Sequence, residues 1–279
     1  MNYVIETNNL SKNYGDVRAV NKVNLQIKQG EIFGFLGPNG AGKTTVFKVI
    51  PCLLRSETGR VTFKRKHIGG LKPYQIAQAG VARTFQNPSL FLQISVLENV
   101  MVGQHCRTHS GFWAAGLRFP GMRTEERAIR QSALSHLEFV GLADVAQQQA
   151  GTLPLGKQKM LEIARALATN PRLILLDEPA GGLNMRETEE LGELIQRICQ
   201  RGTTVMLVEH DMNLVMDISD LVLVLHYGEF LAAGTPGVSG EAALYDPVKG
   251  TVVRRLGTMS DVALGCAFSP DGKQLAVCG

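Results

Sequence analysis

The sequence predicts an α/β fold, and three observations carry that prediction. Short apolar runs, Ile32–Leu36 and Leu173–Leu176, have the length and composition of strands buried on both faces, and Thr203–Val208 reads as a further buried strand. They alternate with segments whose apolar residues recur at helical spacing, such as Leu191, Leu194, Ile195 and Ile198. With 279 residues, 44% of them hydrophobic, the chain can build one large α/β domain or two small ones around a real core.

Taken in order, the chain opens with β-like segments. Val4–Thr7 and the alternating Val23–Ile27 read as strands, and a turn at Gln29-Gly30 leads into the buried strand Ile32–Leu36. Between the first two lies Tyr14, either an aromatic ring available for stacking or a half-buried strand residue. The strand Ile32–Leu36 runs into Gly37-Pro38-Asn39-Gly40-Ala41-Gly42-Lys43-Thr44-Thr45, which fits G-x-x-x-x-G-K-[ST], and a helix over Val46–Ile50 follows. Strand, glycine-rich loop, helix is the order a phosphate cradle requires. The glycines let consecutive backbone N–H groups turn inward onto phosphate oxygens, and the helix N-terminus adds partial positive charge. Lys43 would reach the β- and γ-phosphates of a nucleotide and Thr44 would hold Mg²⁺; the bland alternative is a Gly-rich turn without ligand.

Pro51 ends or kinks the first helix, and Gly59–Phe63 begins a new strand. Val81–Phe85 reads as a strand ending at Gln86, before the turn-prone Asn87-Pro88-Ser89. Gln86 can touch Mg²⁺ or an attacking water, or can be a solvated loop residue. Residues 104–121 mix His105, Arg107, His109 and Arg118 with Phe112, Trp113 and Phe119 and keep no period, so a surface insertion that offers a docking face is expected there. Its histidines are too loosely placed to argue for a metal.

Thr124–Arg127 opens a helix that places Ile129, Ala133, Leu137 and Val140 on one face and ends at Gly141. Leu153–Lys159 leads into a helix over Leu161–Leu167, stopped by Asn170-Pro171, and Gly156 would allow close approach of an anion. The strand Leu173–Leu176 delivers Asp177 and Glu178 to its carboxyl end, where open α/β sheets bind ligands. Asp177 can hold the Mg²⁺ shell and Glu178 can polarise the water that attacks a γ-phosphate; a charged loop after a strand is the alternative. Gly202 closes the helix Glu187–Gln200, and Thr203–Val208 ends in Glu209-His210-Asp211. His210 is thus expected at the same sheet edge as Asp177, either contacting a γ-phosphate or simply capped or solvated.

Composition excludes several function classes. A formal charge of +4, dispersed along the chain, is no nucleic-acid footprint. The five cysteines (Cys52, Cys106, Cys199, Cys266, Cys278) lie far apart without C-x-x-C spacing, so neither a disulfide framework nor a zinc site is indicated, and a reducing compartment fits. No apolar run approaches the roughly 20 residues that span a bilayer, and Met1–Glu6 carries no targeting pattern, so a membrane role would come through a partner.

The ordered set of phosphate loop, Gln86, the Leu153–Gln158 turn before a helix, Leu175-Leu176-Asp177-Glu178-Pro179 and His210 resembles the ATPase subunits of ATP-binding-cassette (ABC) transporters, over roughly residues 3–237. Within that family it is most similar to the ATPases of branched-chain amino acid uptake systems, on Val81–Asn87, Leu161–Ala166, Asp177–Asn184 and the insert after Gln104. The resemblance implies a P-loop NTPase of ABC ATPase type: a mixed sheet core with an antiparallel β subdomain and a helical subdomain of about 87–160, all within 1–237. It implies ATP and Mg²⁺ as ligands. Gly37, Pro38, Asn39, Gly40, Ala41, Gly42, Lys43, Thr44 and Thr45 would hold ATP, and Tyr14 would stack on adenine. Thr44, Gln86 and Asp177 would hold the metal; in the catalytic set of Glu178, His210 and Gln86, Glu178 would be the base, His210 would contact the γ-phosphate, and Gln86 would couple the metal site to the permease. Gly156 would face ATP held by a second, identical or sister, ATPase subunit. Further implied are integral membrane permease subunits, a solute-binding protein acting indirectly, no nucleic acid, and a peripheral place on the cytoplasmic face of the inner membrane. The implied cargo is branched-chain amino acids or related small polar solutes. Urea, amides, a lipid precursor, or a nucleotide-gated binding module without transport are the alternatives.

Two departures stand out. The family's signature turn is Leu-Ser-Gly-Gly-Gln, whereas this chain has Leu153-Pro154-Leu155-Gly156-Lys157. Pro154 offers neither hydroxyl nor N–H, which removes a charge-assisted hydrogen bond worth about 1.5–3 kcal/mol. In the 238–279 tail, Leu244–Gly250 and Ala267–Ala276 resemble one blade of a Trp-Asp-repeat propeller, with Pro270-Asp271-Gly272 as the turn between apolar strands. One blade cannot bury its own faces, so residues from about 240 onward are expected to be poorly ordered or docked on the main domain, the product of a fusion, a truncation or a frame accident.

Overall fold

The computed structural model describes residues 3–37, 40–86, 88–104, 120–226, 229–235, 241–246, 251–258, 265–268 and 275–278. The insert expected at 104–121 falls almost wholly outside them, as do Pro38, Asn39, Asn87 and the 270–272 turn. The chain divides into two units, one of residues 1–71 and 195–279, the other of 72–194.

In the first unit, β1 (Tyr3–Tyr14) and β2 (Val17–Lys28) form a long antiparallel hairpin in which Tyr14 pairs with Val17. Both run well past the expected Val4–Thr7 and Val23–Ile27. The register shifts between Thr7 and Leu10 and again before Lys12 and Asn13, and Asn9 and Lys22 adopt φ of 48° and 46°. Such bulges break the period-2 alternation that marks a strand in sequence. β4 (Thr58–Phe63) pairs with the other edge of β1 and β5 (Lys66–His67) closes a four-stranded sheet in the order β2-β1-β4-β5.

β3 (Ile32–Leu36) is buried at every position and lies between two parallel neighbours, β8 (Thr204–Val208) and β9 (Leu221–His226). α1 (Lys43–Val49) starts three residues before the expected Val46, and the chain leaves it ahead of Pro51. It sets the ring of Phe47 edge-on to Phe35 at 5.8 Å. Gly34 is the residue that lets α7 (Met212–Ile218) approach β3, since a Cβ there would stand 2.6 Å from a Val215 methyl carbon. Beyond β9 the sheet continues antiparallel through β10 (Glu229–Thr235), β11 (Glu241–Asp246) and β12 (Thr251–Thr258), while β13 (Gly265–Phe268) and β14 (Leu275–Cys278) pair with each other.

The second unit holds a parallel pair, β6 (Val81–Arg83) and β7 (Leu173–Asp177), among helices α2 (Pro73–Ala79), α3 (Val96–Gln104), α4 (Pro120–Phe139) and α5 (Leu155–Leu167), together with the start of α6 (Met185–Gln200). α2 and α3 have no counterpart in the sequence expectations. α3 is announced by a capping box that a search for helical periodicity passes over: Ser95 and Glu98 exchange side-chain and backbone hydrogen bonds of 2.8 and 3.2 Å. α4 begins at Pro120 and buries Ala133 and Leu137 as expected, with Ile129 at the margin; Val140, one residue past its end, is buried too, and Gly141 turns the chain away at φ 76°. β6 stops at Arg83 where a strand through Phe85 was expected. The Thr84 N–H still reaches the Leu175 carbonyl at 2.9 Å, and past it the Phe85 N–H, on the unpaired side of the strand, is taken by the Glu162 carboxylate at 3.2 Å. α5 starts at Leu155, ahead of the expected Leu161, with Pro154 as N-cap. The architecture is the expected one of mixed sheet, antiparallel β sheet and helical elements.

Candidate functional site

In the first unit the carboxyl edge of the parallel strands organises the site. β3 and β8 pair in parallel with Phe35 opposite Val208, so Gly37 and His210, each two residues further on, leave the sheet level with one another. Gly37 has φ 149°, and a Cβ there would lie 2.3 Å from the Leu225 carbonyl oxygen, so no other residue fits. Gly40 and Gly42 follow at φ 81° and 96°, and Gly42 is the N-cap of α1. Lys43 is only 6% exposed, and its ammonium donates back to the Gly37 carbonyl across the loop. A buried cation curled over a ring of glycines held at positive φ is a cradle whose chemistry fits a phosphate. Thr44 is exposed beside it and Thr45 half-buried; Ala41 is buried.

His210 is exposed, and its backbone N–H donates to the carboxylate of its buried neighbour Glu209 at 2.9 Å. Asp211 fixes the next turn by accepting from the N–H groups of Asn213 and Leu214 at 3.0 and 3.2 Å, a side-chain N-cap for α7. Tyr14 ends β1 with half its surface in solvent, and the Lys12 ammonium lies over one face of its ring, 5.6 Å from the centroid.

In the second unit the acidic pair sits at the end of β7, and the residues after β6 are fastened to it. Asp177 is buried and takes a 2.7 Å contact from the Arg83 guanidinium. Glu178 is left-handed at φ 48°, a conformation that costs a non-glycine residue on the order of 1–2 kcal/mol. Its carboxylate accepts from the Gln86 amide at 2.6 Å. The buried Lys159 of α5 holds the turn beneath, donating to the carbonyls of Glu178 and Pro179 at 3.2 and 2.9 Å. Three of the residues singled out in the sequence, Gln86, Asp177 and Glu178, therefore meet at one strand end.

Around this cluster the sequence reading missed Arg83, Lys159 and Glu162. Glu162 accepts from the N–H groups of Phe85 and Ser89 at 3.2 and 3.5 Å, tying the Gln86 segment to α5, and burial pushes its carboxyl above the ordinary range. A charged residue inside an apolar strand or on the buried face of a helix was the available signal, since such groups are almost never buried unpaired. Gly156, on the first turn of α5, is buried against Glu187: a Cβ there would stand 2.5 Å from a Glu187 carboxylate oxygen. The same carboxylate accepts from the Asn184 N–H at 3.0 Å. Pro154 caps α5 without any side-chain hydrogen bond, as its missing hydroxyl dictates.

Among the described residues, no group of His, Cys, Asp and Glu forms a ready-made metal cluster, and no helix is long and apolar enough to cross a membrane. Asp177, Thr44 and Gln86 are oxygen donors, the donor type that suits Mg²⁺.

Residues 20–181 match the ABC transporter family. The high-affinity branched-chain amino acid transport ATP-binding protein LivG of Salmonella typhimurium is 43% identical over 234 residues, 84% of this chain and 92% of LivG. The corresponding protein BraF of Pseudomonas aeruginosa is 42% identical over the same shares. A probable LivG of Methanocaldococcus jannaschii is 30% identical over 88% of this chain and 94% of its own. Among solved structures, a nucleotide-free ATP-binding cassette from an ABC transporter superposes with a TM-score of 0.73 at 29% identity, covering 84% of this chain and 92% of the other. A dimeric cassette in a post-hydrolysis state, bound to ADP and Pi, gives 0.71 at 27% identity over 84% and 99%.

Proposed function

This chain belongs to the ABC transporter family as one of its ATP-hydrolysing subunits, and on that premise we propose that it powers an importer of branched-chain amino acids. The likeness to LivG and BraF over most of their length supports that cargo; no residue in this chain needs to touch it, because the ATPase meets the permease and not the solute.

The roles follow from the chemistry of each side chain. Lys43 and the backbone N–H groups of the 37–45 loop hold the β- and γ-phosphates of ATP, and the half-exposed Tyr14 stacks on the adenine. Thr44, Gln86 and Asp177 hold Mg²⁺, which neutralises phosphate charge when bound. Glu178 orients and deprotonates the water, and His210 contacts the γ-phosphate. Gly156 faces the nucleotide of a second ATPase subunit, and the loss of a hydroxyl at Pro154 weakens that contact.

The catalytic domain spans 1–237 with its helical subdomain at about 87–160, and the 238–279 tail, with its likeness to a single propeller blade, is an appendage to it. Integral permease subunits, a second ATPase subunit and, through the permease, a solute-binding protein complete the assembly at the cytoplasmic face of the membrane.

Purification of the tagged full chain from its native membranes, followed by reconstitution of whatever complex comes with it, tests the proposal. ATP-dependent leucine uptake into the vesicles is the expected result. A complex that hydrolyses ATP and moves no leucine, isoleucine or valine would overturn the cargo and leave the ATPase standing.

A further inference from the structure

Arg83 is the one charged residue in β6, and nothing above gives it a role. β6 and β7 pair in parallel with Arg83 opposite Leu175, so Asp177, two residues on, points to the same side as Arg83. The two side chains meet at 2.7 Å with only 10% and 7% of their surfaces exposed. The contact is poorly made for a stabilising pair. One terminal nitrogen of the guanidinium donates to one carboxylate oxygen, and the Nε–H is buried with no acceptor. A pair kept for stability alone would be met by the bidentate fork that Arg and a carboxylate form readily. The guanidinium is also held from the side, 5.6 Å from the ring of the half-exposed Phe85.

We infer that Arg83 is a positioning residue that acts as the resident counter-ion of Asp177, holding its carboxylate in place and setting how strongly that carboxylate draws the divalent cation. The inference rests on Asp177 being a metal-shell residue, as proposed above. With one oxygen of Asp177 engaged by Arg83, the other is the one offered to Mg²⁺. A fixed positive charge beside a site for a doubly charged cation opposes binding by a free energy that scales with the product of the charges, and burial strengthens the effect. Arg83 thus keeps a buried carboxylate neutralised when no metal is bound and keeps the metal from binding tightly without nucleotide.

The sign of the effect separates this role from a purely structural one. Removing the charge tightens metal binding if Arg83 is a counter-ion, whereas removing a mere support loosens it or leaves it alone. The test is titration of the full chain with Mn²⁺, read by electron paramagnetic resonance in the presence of a non-hydrolysable ATP analogue. Arg83→Gln keeps a donor for Asp177 and drops the charge. Its half-saturating Mn²⁺ concentration is expected to fall on the order of tenfold below wild type at low ionic strength, with the gap narrowing as salt rises. Arg83→Lys keeps the charge and is expected within about twofold of wild type. An unchanged or raised midpoint in Arg83→Gln overturns the inference, and so does a large shift in Arg83→Lys, which can be measured even if the Gln variant does not fold. A wild-type chain that binds the nucleotide analogue but no Mn²⁺ overturns instead the metal assignment of Asp177 and the inference with it.

Discussion

Glu178 holds a left-handed backbone at φ 48° while its carboxylate is fixed by Gln86, a combination that trades local stability for the direction in which one side chain points. Gly37 shows the opposite economy, a residue kept because nothing larger fits. Its φ of 149° and the 2.3 Å approach of the Leu225 carbonyl predict that Gly37→Ala loses about 2 kcal/mol or more of stability in denaturant unfolding, along with nucleotide binding. A loss under about 0.5 kcal/mol would contradict that geometry. The phosphate loop and the Asp177-Glu178 pair were legible because each is a short local word whose meaning depends on the strand before it. The pairs that hold them were not: Arg83 reaches Asp177 across 94 positions, Gln86 reaches Glu178 across 92, and Phe85 reaches Glu162 across 77. No local pattern encodes such partners.

At the scale of elements, α5 carries two testable features. Its N-cap is Pro154, with no side-chain hydrogen bond to the first turn. Pro154→Ser restores a capping hydroxyl and is expected to stabilise the chain by about 1 kcal/mol in denaturant unfolding and to raise ATP turnover of the assembled pair. No gain in either would mean that the proline already satisfies this turn. The second feature is Glu162, whose carboxyl is pushed above its ordinary value of 4.5 chiefly by burial, against the N–H groups of Phe85 and Ser89 and the charges of Arg165 and Lys159. The folded chain therefore holds this proton more tightly than the unfolded one. Unfolding releases it, and stability falls as pH rises from 4.5 through the raised folded value. Glu162→Gln keeps an acceptor and has no charge to bury. Its stability relative to wild type is expected to climb with pH across that window and then level off; a difference that stays flat with pH would exclude burial as the cause. Strands β1 and β2 were only half legible in sequence because bulges at Asn9 and Lys22 interrupt the alternation, and α3 was missed because its signal lies in the Ser95 and Glu98 cap.

For the whole molecule, the fold follows from the distribution of apolar runs, which is why mixed sheet and helices could be read without any partner contact. Cargo was legible only through resemblance, in stretches such as Val81–Asn87 and Asp177–Asn184, because no single residue's chemistry in this chain specifies a solute. The backbone of the tail adds β11 and β12 to the antiparallel edge at β10, which gives 241–246 and 251–258 strand partners that their sequence alone did not name. On the proposed assignment, ATP turnover by the whole molecule depends on one proton transfer, to Glu178. The most direct measurement is ATP hydrolysis by the purified full chain and by Glu178→Gln, run beside sedimentation in ATP. With Glu178 as base, the variant binds ATP, sediments as an ATP-bound dimer and turns over about 10²–10⁴-fold more slowly than wild type. Full turnover by Glu178→Gln would contradict the assignment at its centre.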